Sequence, residues 1–136
     1  MWWDEYETAI LLNGCVSILE GAEKRKVIEE VSENLRDLAA CRGYKLDKTF
    51  RNIPGVTLKM GTIQYYFTNG ESGMKNSNPS KMFKHIVNLY RTNRATYNEI
   101  LSRTESYIQH NYNLNIGNDI LGLDDNINKN IHKNYR

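Results

Sequence analysis

Arg103 and His110 stand seven residues apart, a spacing that on a helix returns both side chains to one face two turns on. An imidazole can pass a proton and a guanidinium can bind an anion, so the pair is one place where chemistry could sit. A second set, Arg51, Asn52, Lys59 and Gln64, carries side chains suited to base edges. The fork of an arginine fits guanine, and the amide of an asparagine or glutamine fits adenine. Lys45, Lys48, Lys81 and Lys84 lie around that set and would meet phosphates. Trp2, Trp3, Tyr65 and Tyr66 are a third resource, large rings that could anchor a protein partner.

Other chemistries lack their parts. Gly70-Glu71-Ser72-Gly73 is not a phosphate loop, because no Lys-Ser/Thr pair follows it and no strand precedes it. No serine sits in a glycine-flanked nucleophile elbow. Metal-dependent nuclease sites need acids converging beside a lysine, and the basic middle of this chain is poor in acids. Cys15 and Cys41 cannot complete a zinc site with His85, His110 and His132 at these spacings. Reduced, packed cysteines are expected, with neither metal nor cofactor.

The elements that must position these residues read as helices. Leu12, Cys15, Val16 and Leu19, with Leu11 and Ile18, place a helix over residues 4–20, ended by Gly21. Gly14 in its middle suggests a close helix approach. Ile28, Val31, Leu35, Leu38 and Ala39 define a second helix over residues 23–42, with Glu29, Glu30, Glu33 and Asp37 outward. Val56, Met60, Ile63 and Phe67 define a third over residues 54–67, opened by Pro54. Beyond a Gly/Asn/Ser loop, Phe83, Ile86, Val87 and Tyr90 define a fourth. Tyr97, Ile100, Leu101, Thr104 and Ile108 define a fifth, with Thr96 and Glu99 at capping-box spacing after a break at residues 91–94. One helix running from Ser80 to His110 fits nearly as well. Val31, Leu35, Met60, Ile63, Phe83, Ile86, Val87 and Leu101 should be buried together. The fold class expected is all-α, a compact bundle of four to five helices with a helix-turn-helix-like core. Such a core would present the third helix to a major groove.

The chain's 136 residues suffice for one domain with one core. Residues 1–110 read as a helical binding domain and 111–136 as an irregular Asn-rich tail or linker, joining it to something else. No apolar run approaches the ~20 residues of a membrane span, and the acidic, aromatic start is unlike a secretory signal. A cytoplasmic location follows as an expectation. The net charge of +2 hides an asymmetry: residues 1–43 sum to −4, 44–110 to +6, and 111–136 to zero. One cationic face is the implied consequence.

Two resemblances extend this reading. Arg103 and His110 resemble the arginine–six residues–histidine motif of the HEPN ribonuclease superfamily, which implies a metal-independent RNase assembled from two protomers. Trp3-x-x-Tyr6, Arg51-Asn52-x-x-Gly55-Val56-x-x-Lys59-Met60 and Met82-Phe83-x-x-Ile86-Val87-x-x-Tyr90 resemble a different module. It is the N-terminal helical module that stands ahead of HNH endonuclease and other effector domains in bacterial restriction and phage-defence proteins. The likeness spans residues 2–108, with Pro54 and Gly61 as departures, and the HNH catalytic domain has no counterpart. It implies a non-catalytic accessory domain that binds nucleic acid, duplex DNA in the first place. The alternative is a protein-interaction module of a defence assembly or a phage-encoded inhibitor. The HEPN-like ribonuclease stands third.

Overall fold

The computed structural model describes residues 2–75 and 77–121, with side chains as far as Asn111. The described residues form five helices and no strand: α1 (Glu5–Leu19), α2 (Lys24–Cys41), α3 (Ile53–Phe67), α4 (Lys81–Thr92) and α5 (Arg94–Leu121). None of them is long and apolar enough to cross a membrane.

α1 occupies the centre and touches each of the other four helices. Glu7 through Leu12 are buried without interruption, so this helix is covered all round rather than along one stripe. The two apolar rows legible in the sequence are two faces of one central helix. Leu19, assigned to the core, is exposed because α1 ends there. α2 covers α1 with Ile28, Val31, Leu35, Leu38 and Ala39 and leaves Glu29, Glu30 and Glu33 in water. α3 contributes Val56, Met60 and Ile63, and α4 contributes Phe83, Ile86 and Val87. From α5, Tyr97, Thr104 and Ile108 are buried. Leu101 is only half-buried against the same core, at the edge of the face that α5 presents.

The breaks have local causes. Asn93 ends α4 and opens α5, its side chain accepting the Thr96 amide at 3.3 Å. It does the capping expected of Thr96, and Glu99 is free to pair with Arg103 at 2.5 Å. α5 then continues through Asn111 to Leu121, so the first part of the expected tail is helical. Extending an existing helix adds one hydrogen bond per residue without a new nucleation cost. The rest of the tail, 122–136, lies outside the described residues. Between α2 and α3 the chain runs through residues 42–52, well beyond the three or four residues of a helix-turn-helix turn. The pair keeps the helix order of that motif without its tight connection.

Two glycines are required by close approach. A Cβ on Gly14 would lie 2.7 Å from Val31 Cγ2 and 3.1 Å from both Met60 Cε and Val27 Cγ1. Gly73, at φ +100°, would place a Cβ 2.5 Å from the Tyr65 amide nitrogen. That close approach lets the α3–α4 loop lie on α3, where the Met74 amide donates to Gly61 O at 2.9 Å.

Gly14→Ala should therefore destabilise the protein. The ~1 kcal/mol gain in helix propensity is outweighed by about 1–3 kcal/mol of overpacking against the stiff valines. A urea midpoint that stays put or rises would mean that α2 and α3 give way freely.

A second prediction concerns alkaline pH. Burial pushes the Cys15 thiol from 9.0 up to about 12. Burial likewise raises the Tyr97 hydroxyl, which donates to Ala9 O at 2.8 Å. Both groups lose their protons earlier in the unfolded chain, so stability is full below pH 9.0 and falls above it. The slope should approach ~1.4 kcal/mol per pH unit for each group. Urea unfolding at rising pH checks this, and Cys15→Ala should flatten the decline.

Candidate nucleic-acid interface

Arg51 organises the region where the sequence placed its base readers. It sits at φ 46°, a left-handed conformation that few side chains other than glycine and asparagine adopt readily. That geometry turns its side chain into the molecule. Nε meets Glu7 Oε2 at 2.8 Å and Nη2 meets Glu7 Oε1 at 3.3 Å. Nη2 also donates to Trp2 O at 3.1 Å. The guanidinium lies between the rings of Trp3 and Phe50, 4.5 and 4.7 Å from their centroids. The two paired side chains keep only 9% and 6% of their surface in water.

Glu7 is itself fixed by the start of α1. Asp4 caps that helix by accepting the Glu7 amide at 2.8 Å, and Glu7 Oε1 accepts the Asp4 amide at 3.3 Å. Asp4 is in turn paired with Arg42 at 2.7 Å. The long α2–α3 connection is held from the other side. Arg36 donates to Asp47 O at 2.9 Å and Phe50 O at 2.6 Å, and Ser32 Oγ donates to Arg51 O at 2.6 Å. Asp47 accepts from the Thr49 hydroxyl and from the Thr49 and Phe50 amides. These bonds, that of the hydroxyl first, hold its carboxyl below the usual carboxylate range.

Beside this assembly runs an open groove of about 1080 Å³. Its walls are the N-terminal arm (Trp2, Trp3), the middle of α3 (Lys59, Thr62) and the entry to α4 (Asn78 through Phe83). Ser80 caps α4 by accepting the Phe83 amide at 3.1 Å. Trp3 meets Phe83 edge to face at 5.8 Å, which fastens the arm to α4. Trp2, in contrast, leaves 91% of its surface in water.

The eight binding residues expected from sequence separate into groups. Arg51, Lys59 and Lys81 come together at the groove, and exposed Lys84 follows one turn beyond Lys81. Arg51 is committed to Glu7, so it has no free fork for guanine. Asn52 is committed too, since its side chain caps α3 by accepting the Gly55 amide at 3.0 Å. Gln64 donates to Ser72 Oγ at 3.0 Å and ties down the α3–α4 loop. Lys45 and Lys48 are exposed on the α2–α3 connection, outside the groove lining. Of the four aromatic anchors only Trp2 is exposed, while Trp3, Tyr65 and Tyr66 are half-buried.

Arg103 and His110 are both exposed on α5. Arg103 borders a pocket of about 340 Å³ with Tyr6, Leu38, Arg42, Thr104 and Tyr107, and His110 does not line it. Cys15 is buried and Cys41 half-buried, both as free thiols. Among the described residues no three His, Cys, Asp or Glu side chains gather where they could hold a metal.

What the sequence reading missed is the pairing partner. Asp4-x-x-Glu7 has capping-box spacing and was legible as such. That the same glutamate would capture Arg51, 44 residues away, depends on the tertiary fold. No protein-family model matches the chain, and no curated protein or solved structure matches it significantly.

Removing either partner of the buried pair should cost about 3–5 kcal/mol, because the other is left charged and unpaired. Arg51→Ala and Glu7→Ala are expected to unfold at clearly lower urea. The double change Arg51→Met with Glu7→Leu should lose much less. Equal losses in all three proteins would mean that packing, not charge pairing, carries the effect.

Proposed function

We propose that the chain is a non-catalytic nucleic-acid-binding module that engages phosphates from the α3–α4 side of the bundle. The observation that supports it is the electrostatic character of that side. Neither α3 nor α4 contains an acid. Lys59, Lys81 and Lys84 are exposed, and no ion-pair partner for them exists among the described residues. Lys59 and Lys81 converge on one groove. Lys81 also stands in the first turn of α4, where the helix dipole disfavours a cation and a nearby anion would relieve it.

With Arg51 and Asn52 committed to the fold, the groups that remain available suit the backbone of the nucleic acid. Binding of this kind positions a protein without reading sequence. Taken with the resemblance to restriction and phage-defence modules, the role would be to hold DNA for an effector domain. A second reading, a protein-docking module, has one observation in its favour. Ile53 and Leu58 on α3 leave 47% and 58% of their surface in water. Apolar side chains so exposed are common singly and informative when grouped.

Titration of labelled DNA at low and moderate salt tests the proposal. Affinity should fall steeply with salt, and Lys81→Ala with Lys84→Ala should weaken binding to all sequences alike. For every phosphate that a variant no longer neutralises, the salt slope on a duplex should shrink by about 0.9. Absence of binding at low salt would retire the reading in favour of protein docking.

A further inference from the structure

We infer that the groove takes a single strand of nucleic acid, with one unpaired base stacked on the indole of Trp2. This rests on the nucleic-acid reading of the groove and specifies its ligand. Three observations converge on it.

The first is how Trp2 is held. Its carbonyl is fixed by the Arg51 guanidinium at 3.1 Å, and its neighbour Trp3 is wedged between that guanidinium and Phe83. The backbone of the arm is therefore anchored while the Trp2 ring, 91% exposed, stands at the groove wall. With its backbone held, the ring has only its side-chain rotamers left to order on binding a ligand.

The second is the charge left in the groove. Four charged residues line it: Asp4, Arg51, Lys59 and Lys81. Arg51 is neutralised by Glu7 and Asp4 by Arg42, which leaves the two lysines uncompensated. Lysines are flexible point charges that follow a phosphate chain without demanding one base. An exposed ring beside such charges is the recurring chemistry of single-strand binding, where bases stack and the backbone is tracked electrostatically.

The third is shape. Duplex readers push a convex helix or ribbon into the major groove. Here the lysines and the indole line a concavity instead, and the Arg51 and Asn52 side chains beside it are occupied. A duplex keeps its base faces stacked inside, so it has no π face to offer Trp2. An unpaired base does.

Trp2 and Trp3 are the chain's only tryptophans, so intrinsic fluorescence reports directly on this wall. Trp3→Phe, which keeps a ring against Phe83, leaves Trp2 as the sole reporter. A thymidine homopolymer should quench that emission at low salt. It should also bind at least about tenfold more tightly than a blunt duplex of equal length. Trp2→Ala should weaken single-strand binding by about five- to a hundred-fold. Trp2→Phe should recover most of that loss, because a phenyl ring still stacks. Trp2 is exposed, so these variants should unfold with the wild type, as circular dichroism would verify. Equal affinity for single strand and duplex, or an unaltered Trp2→Ala, overturns the inference. If lysine-dependent, salt-sensitive binding persists in that case, the nucleic-acid reading stands without it. No binding of either form overturns both.

Discussion

The buried ion pair between Arg51 and Glu7 is the constraint on which the rest of this structure turns. It joins four pieces of chain: the N-terminal arm through Trp2 O, the first turn of α1 through Glu7, the α2–α3 connection, and the start of α3. Arg51 reaches inward only because its backbone is left-handed, and that strained turn lets the next residue, Asn52, cap α3. Burying two charges rarely adds stability over a well-packed apolar pair. What it adds here is definition. A guanidinium with fixed acceptors tolerates one placement of the arm, and the groove wall formed by Trp2 and Trp3 inherits that placement.

Around this constraint the bundle is organised by α1. A central helix must be apolar on every side, and its neighbours must come close enough to exclude water. Gly14 opens the side toward α2 and α3, letting Val27, Val31 and Met60 pack on the helix backbone. Tyr97 closes the side toward α5, its ring filling the core while its hydroxyl satisfies Ala9 O. No buried side-chain polar atom is left without a partner among the described residues. The core thus satisfies its polar groups with few devices, which leaves the surface free to specialise.

The fold was largely legible because helix patterning is local. Ile28, Val31, Leu35, Leu38 and Ala39 mark their helix by spacing alone, and all are buried. Gly14 announced close packing because glycine in a helix interior has a cost that something must offset. The site was legible only in part, for a physical reason. Arginine and asparagine have the same hydrogen-bonding forks whether they face a base, a carboxylate or a backbone amide. Arg51 and Asn52 looked like readers because their chemistry is right for reading. Their partners, Glu7 and the Gly55 amide, become partners only in the folded chain, where Arg51 adopts a left-handed backbone and Asn52 caps α3. Lys59 and Lys81 have no such partner among the described residues.

That difference between arginine and lysine carries the functional argument further. α3 and α4 contain no acid, whereas α2 balances Glu29, Glu30, Glu33 and Asp37 against Lys24, Arg25, Lys26 and Arg36. The excess of positive charge therefore lies on the α3–α4 side, which is where a polyanion would be drawn. With a net charge of only +2, binding of the proposed kind would rest on that local excess rather than on bulk attraction. Within the groove the arginine, the side chain best shaped to read a base, is occupied in holding the wall. The lysines, which recognise charge without geometry, have no ion-pair partner among the described residues. On the proposed reading, a surface so divided would hold a backbone without reading its sequence.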